Sequence, residues 1–288
     1  MTGQLLISAS ELDALINNDP GRAPLLLDVR WALGRSDGYE AYLDEHLPGA
    51  IFVDLEADLS GPVSEDGRGG RHPLPAIDDF EYAMAELGVD NHRPVVCYDD
   101  WNSLSAARCW WLLRHFGKHD VRVLDGGLKA WKSLGLPVEC GPRELDEGDF
   151  EPRRSNAQAL DADHARRYAA EAVLIDGRPA DRFRGENETI DPVAGHIPGA
   201  VNLPALSLVD PDGRLLPASH LRAAFEAVGA ADDRPVAMYC GSGVQASLLA
   251  LAYAHAGLGE EVPVYVGSWS DWVSDRSRPV ETALAPRP

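Results

Sequence analysis

Short, nearly unbroken apolar runs recur along the chain at 25–29, 94–98, 121–125, 173–176, 235–239 and 262–266. Runs of this length without alternation predict strands covered on both faces. Longer apolar stretches at 104–116 and 245–256 predict helices, the second ending near Gly257. Ser8-Ala9-Ser10-Glu11 has capping-box spacing and predicts a helix start. A short strand is expected after each of the turns Pro48-Gly49-Ala50 and Pro198-Gly199-Ala200, and a short helix around each of Trp131 and Trp272. Strands alternating with helices predict an α/β fold, with a mostly parallel sheet carrying helices on both faces.

The pattern occurs twice. Leu25-Leu26-Leu27-Asp28-Val29-Arg30 recurs as Val173-Leu174-Ile175-Asp176-Gly177-Arg178, and Glu45-His46-Leu47-Pro48-Gly49-Ala50 as Gly195-His196-Ile197-Pro198-Gly199-Ala200. Pro94-Val95-Val96-Cys97-Tyr98-Asp99 matches Pro235-Val236-Ala237-Met238-Tyr239-Cys240, and the segment ending at Trp131 matches the one ending at Trp272. Four blocks in one order mark two copies of one domain. Between them, the stretch from Val138 to about Leu160 is rich in Pro, Gly and charge and lacks an apolar period. The expected organisation is a first domain over 1–140, an exposed linker over 141–160 and a second domain over 161–288.

Composition narrows the function classes. The formal charge of −20 over 288 residues, with lysine only at 118, 129 and 132, argues against nucleic acid as a partner. No stretch approaches a membrane span, and Met1 to Ile7 carries no basic region or long apolar core. Cysteines at 97, 109, 140 and 240 show neither a disulfide framework nor CxxC spacing, which fits a reducing cytoplasm. The histidines show no zinc-type spacing, so no metal and no cofactor is expected.

Cys240 is the candidate for chemistry. It ends an apolar strand, is followed by Gly241-Ser242-Gly243-Val244-Gln245-Ala246, and leads into a helix. Amides at a helix start and the positive end of the helix dipole both favour thiolate over thiol. A cysteine after a buried strand is more often a small hydrophobe; the glycine loop favours the nucleophile, because its glycines let the backbone curl round a ligand.

Comparing the copies separates structure from chemistry. His46 and His196, like Arg30 and Arg178, occur in both copies and are expected to be structural rather than ligands. Asp99 stands opposite Cys240, so the first domain is expected to be catalytically silent. From Ala50 to Pro94 is 44 positions but from Ala200 to Pro235 only 35, so the first copy carries nine extra residues, expected within Ser60 to Pro73. That polar loop either is a surface excursion or brings His72 to the second copy's cleft.

With the HLPGA and GHIPGA turns, the DGRPADRFRG segment, the CGSGVQAS loop and the paired tryptophans, nearly the whole chain resembles the tandem-domain rhodanese family of sulfurtransferases. The resemblance implies two rhodanese-like domains and a Cys240 persulfide. The donor would be a small anion, thiosulfate or 3-mercaptopyruvate; the acceptor would be cyanide or a thiol, thioredoxin-like thiols included. The amides from Gly241 to Ala246 would stabilise the anionic sulfur; Gly241, Gly243, Val244 and Gln245 would bind the substrate, and Arg182 would bind the donor. Gly241 and Ser242 resemble the mercaptopyruvate type, in which Ser242, His72 and an acid near Asp54 or Glu56 would relay a proton. Two positions depart from that type: Asp191 stands where a second arginine is usual, and Gln245 where threonine is. The donor therefore stays open. A cysteine-dependent phosphatase would need arginine six positions after Cys240, where Ala246 stands. The remaining alternative is a sulfur carrier loaded by a protein partner without turnover.

Overall fold

A computed structural model describes residues 4–18, 21, 23–143, 146–153, 157–231 and 234–282. The chain divides into two compact units. The first takes the described residues of Met1–Gly61, Pro75–Asn156 and Val209–Leu215; the second takes those of Pro62–Leu74, Ala157–Leu208 and Leu216–Pro288. Each unit thus includes one short segment from the other half of the sequence. For the second unit this segment is the arm expected to hold the nine extra residues.

In the first unit the strands are β1 (Leu6–Ile7), β2 (Leu25–Asp28), β3 (Ala50–Phe52), β4 (Val95–Tyr98) and β5 (Val121–Leu124). The helices are α1 (Ala9–Asn18), α2 (Gly38–Asp44), α3 (Ile77–Glu86), α4 (Leu104–His115) and α5 (Gly127–Ser133). In the second unit the strands are β6 (Ala159–Leu160), β7 (Val173–Asp176), β8 (Val201–Asn202), β9 (Val236–Tyr239) and β10 (Val264–Tyr265). Its helices are α6 (Ala162–Glu171), α7 (Ala180–Arg184), α8 (Ala218–Ala227), α9 (Val244–His255) and α10 (Ser268–Trp272), with a 3-10 turn at Ala205–Leu208. Sheet order is β1-β5-β4-β2-β3 and β6-β10-β9-β7-β8, and every paired strand is parallel. The two sheets share one register: Asp28 pairs with Tyr98 as Asp176 pairs with Tyr239.

The continuous apolar runs are strands because both faces are covered: every residue of β2, β4, β7 and β9 is buried. Leu12, Leu26, Val96 and Trp131 belong to one side-chain core of the first unit; Leu174, Phe183, Ala237 and Trp272 belong to its counterpart in the second. The paired tryptophans play matching parts, each donating its indole N–H to a following carbonyl: Trp131 to Pro137 at 2.7 Å and Trp272 to Pro279 at 2.9 Å. The capping box forms as expected. The Ser8 amide donates to Glu11 Oε2 at 2.9 Å while the Glu11 amide donates to Ser8 Oγ at 3.2 Å.

Some elements differ from expectation. The edge strands β1 and β6 are two residues each and add to β5 and β10; the short helices α2 and α7 were not among the expected elements. Residues 144–145 and 154–156 of the expected linker lie outside the described residues. The rest is not uniformly exposed. Phe150 is buried, edge-on to Phe80 at 6.0 Å between ring centres, Ala157 is buried, and Ala159–Leu160 form β6. A stretch without helical or strand periodicity can still anchor through single residues.

Among the described residues no helix is long and apolar enough to cross a membrane, and all four cysteines are free.

Candidate functional site

Cys240 follows β9, which lies between β10 and β7. The chain leaves β7 towards β8 on one side and β9 towards β10 on the other, so the carboxyl ends of β7 and β9 flank the crevice where open α/β sheets bind ligands. The loop after β9 turns through Gly243, whose φ of +84° suits glycine, and enters the twelve-residue helix α9. Gly243 N–H donates to Cys240 Sγ at 3.2 Å, and the Ser268 hydroxyl stands 4.0 Å from the same sulfur. Ser268 also accepts the Cys240 amide at 3.0 Å, while the amides of Trp269 and Ser270 donate to the Cys240 and Gly241 carbonyls at 3.0 Å each. The ring of inward amides expected over 241–246 narrows to one backbone donor on sulfur among the described residues. Val244 and Gln245 form the first turn of α9, with Val244 buried and Gln245 half-buried.

The arm 62–74 brings two side chains to this loop. His72 Nδ1 lies 2.9 Å from Ser242 Oγ, and both residues are buried. Arg71 is the other. The arm is fastened by its backbone: Gly69 N–H donates to Asp271 at 2.8 Å, and Arg71 N–H donates to Ser270 Oγ at 3.1 Å. Asp54 and Glu56, considered for a relay acid, have partners in the first unit. Asp54 accepts the amides of Glu56 and Ala57 at 2.8 and 3.1 Å; Glu56 accepts the Trp31 indole N–H at 3.2 Å.

Arg182 comes from α7, after β7. Its guanidinium donates to both oxygens of Glu188 at 2.8–3.2 Å and to Asp191 at 2.9 Å. Burial would raise the Glu188 pKa, but hydrogen bonds from Arg182 and the amides of Asp191 and Ile190 bring it below the ordinary value. For Asp191 burial prevails, and its pKa is raised despite the two arginines beside it. Asp191 also pairs with Arg71. A β-carbon at Gly241 would lie 3.0 Å from Arg71 Nη2, 3.7 Å from Arg182 Nη1 and 3.9 Å from Arg178 Cδ. Its nearest neighbours are thus three arginine side chains, and only glycine leaves that space open.

The histidines and arginines shared by the copies are structural. His196 Nδ1 lies 2.7 Å from the Phe183 carbonyl with its ring stacked on Phe183; His46 Nδ1 lies 2.8 Å from the Tyr42 carbonyl, stacked on Tyr42. Burial lowers the His196 pKa, which favours the neutral ring. Arg178 is fully buried, bonded to Asp176 and the Gly195 carbonyl and lying 4.6 Å over Trp269. Arg30 repeats the pairing with Asp28 at 2.6 Å. Among the described residues no three His, Cys, Asp or Glu side chains converge as a metal site.

The matching loop of the first unit holds its own anion. Asp99 accepts amides from Trp101 and Ser103 at 2.9 Å on one oxygen, and the Ala106 amide at 3.0 Å and the Ser105 hydroxyl at 3.2 Å on the other. Burial raises its pKa from 3.8 to about 6 against the pull of these amides. Replacing Asp99 with alanine would strand three buried amides at about 1–3 kcal/mol each. Relief of a buried charge offsets part of that, roughly 3 kcal/mol for a shift of this size. We expect Asp99→Ala to lower stability by about 3 kcal/mol at pH 7. The folded pKa lies above the unfolded one, so the wild-type contribution is greatest below pH 4 and declines as pH rises towards 6. The deficit of the variant should therefore widen by about 1 kcal/mol between pH 7 and pH 5. Denaturant unfolding at the two pH values checks both statements; equal stability at both would refute them.

Sequence reading named the Cys240 loop, Arg182 and His72, the last two of which the structure brings to that loop. It missed Arg71, Glu188, Ser268 and Ser270, which reach the site through contacts distant in sequence; the extra length of the first copy was the one signal for the arm.

The rhodanese-like domain family model matches residues 8–134 and 157–275. A Mycobacterium tuberculosis protein provisionally named thiosulfate sulfurtransferase SseB is 42% identical over 98% of this chain and 99% of its own. The Escherichia coli 3-mercaptopyruvate sulfurtransferase is 38% identical over 89% of this chain and 91% of its own. The crystal structure of Escherichia coli SseA, a 3-mercaptopyruvate sulfurtransferase, superposes with a TM-score of 0.81 at 37% identity, covering 92% of this chain and 99% of that one. With two matched domains and relatives alike over nearly their full length, the chain belongs to the tandem-domain rhodanese family of sulfurtransferases.

Proposed function

We propose that Cys240 carries sulfur between a small anionic donor and a thiophile. The thiolate attacks the outer sulfur of thiosulfate, the sulfur–sulfur bond breaks, and sulfite leaves with the bonding pair. With 3-mercaptopyruvate the carbon–sulfur bond breaks instead; the pair goes to carbon, which takes the thiol proton as pyruvate forms. Either way Cys240 is left as a persulfide. Cyanide then removes the outer sulfur as thiocyanate, or a thiol removes it as a persulfide of its own, restoring the thiolate.

The observation that carries this reading is the contrast between the loops: an amide and a helix start face a thiol at Cys240, where the repeat holds the fixed carboxylate of Asp99. A carboxylate is no soft nucleophile, so the first unit has no sulfur-bearing role. Gly241, Gly243, Val244 and Gln245 form the anion-holding turn, and Arg182 supplies positive charge to the donor. The Ser242–His72 pair moves the proton that the mercaptopyruvate step requires. Thioredoxin-like thiols are reasonable acceptors because a persulfide yields its outer sulfur to any accessible thiolate. Four free cysteines fit a reducing cytoplasm.

The test is the intact mass after incubation with each donor in turn. Addition of a single sulfur atom, reversed by cyanide with release of thiocyanate, is the expected result. The donor that loads faster identifies the substrate. If neither donor adds sulfur, the persulfide reading fails for both.

A further inference from the structure

Building on the Cys240 persulfide reading, we propose that Arg71, delivered by the arm 62–74, is a second donor-binding cation beside Arg182. An anionic donor at Cys240 needs positive charge close to the loop, and the loop's own residues 241–245 carry none. The geometry supplies it through space. Arg71 Nη2 is the nearest atom to the open β-position of Gly241, at 3.0 Å, and Arg182 Nη1 follows at 3.7 Å. No carboxylate is among the three nearest atoms there.

Arg71 is held for this task. Its amide is fixed on Ser270 Oγ, and its guanidinium pairs with one oxygen of Asp191 while Arg182 pairs with the other. Asp191 therefore spans the two cations and sets their spacing. Its side chain is 2% exposed and that of Arg71 27%, so the anchor is buried while the cation stays open to a ligand. Arg71 Nε is buried without a hydrogen-bond partner, so the guanidinium keeps one donor that the protein does not spend. Arg71 and Asp191 also line a cavity of about 740 Å³ together with Val63, Gly70, Ser270 and Arg278. Position 191 thus recruits an arginine 120 residues away in sequence.

The test compares alkylation of Cys240 by iodoacetate and by iodoacetamide, reagents of similar size that differ in charge. The iodoacetate-to-iodoacetamide rate ratio should fall about tenfold in Arg71→Gln, as expected when a partly buried cation near an anion is removed. It should stay near wild type in Arg71→Lys, which keeps the charge. Arg71→Ala is a second neutral variant. A purely structural arginine would change both rates together and leave the ratio unmoved; that result overturns the proposal. So does a wild-type thiol that reacts with neither reagent, since no small anion then reaches the site. No sulfur donor enters the measurement, so its outcome and that of the persulfide test are separate.

Discussion

Cys240→Ser folds normally and transfers no sulfur: its turnover with either donor falls on the order of 10⁴-fold or more, the scale seen when a covalent nucleophile is removed. The substitution changes one atom. A serine hydroxyl still accepts the Gly243 amide, so the turn into α9 and its buried surroundings persist. What is lost is a polarisable sulfur nucleophile; a serine hydroxyl is a far weaker one, and its oxygen has little affinity for sulfur. Thiocyanate release and intact mass check the prediction, with thermal unfolding as the control for fold. Retained turnover in Cys240→Ser would move the chemistry to another residue. Cys97 and Cys109 are buried in the first unit, where burial raises the Cys97 thiol pKa well above its ordinary value; Cys140 is exposed.

Much of this was readable because the chain repeats itself. Two buried strands with one register, Asp28 against Tyr98 and Asp176 against Tyr239, follow from apolar runs that recur in order. The position of Cys240 at a strand end followed from the same runs. Its contrast with Asp99 was visible because one copy can be read against the other. The two-residue edge strands were not visible, because Leu6–Ile7 and Ala159–Leu160 are too short for any periodicity and exist only by pairing with β5 and β10. Helix α7, five residues long, has no complete amphipathic face to read. Ser242–His72 spans 170 residues and Gly69–Asp271 spans 202; no local pattern encodes such contacts. The resemblance pointed to His72, yet nothing in sequence pointed to Arg71 beside it. Asp191, a departure from the related pattern, became intelligible once its partner Arg71 was seen. Arg182 was expected from the sequence as a cation of the site; its pairing with Glu188 came only from the structure.

Gly70→Ala should lower kcat/KM by about 10²-fold, the cost of moving catalytic groups by about an ångström, while leaving the sheet of the second unit intact. Gly70 has φ +79°, and a β-carbon there would lie 2.3 Å from the Gly267 carbonyl oxygen and 2.6 Å from Ser270 Oγ. Neither neighbour can yield cheaply. Gly267 precedes α10, and Ser270 is bonded to the Gly241 carbonyl through its own amide. The arm must therefore back away, and Arg71 and His72 follow Gly70 directly in the chain. Retreat breaks the bond from Arg71 N–H to Ser270 and lengthens the 2.9 Å contact of His72 with Ser242. Left-handed strain alone does not produce this outcome. Gly34 has the same φ of +79° with nothing within 4 Å of its would-be β-carbon, so Gly34→Ala isolates the backbone penalty of about 1–2 kcal/mol in stability and should leave kcat/KM unchanged. Steady-state kinetics of the two variants, with their unfolding midpoints, separates clash from strain. A Gly70→Ala protein as active as Gly34→Ala would show that the arm's position, and with it Arg71 and His72, is not needed for sulfur transfer.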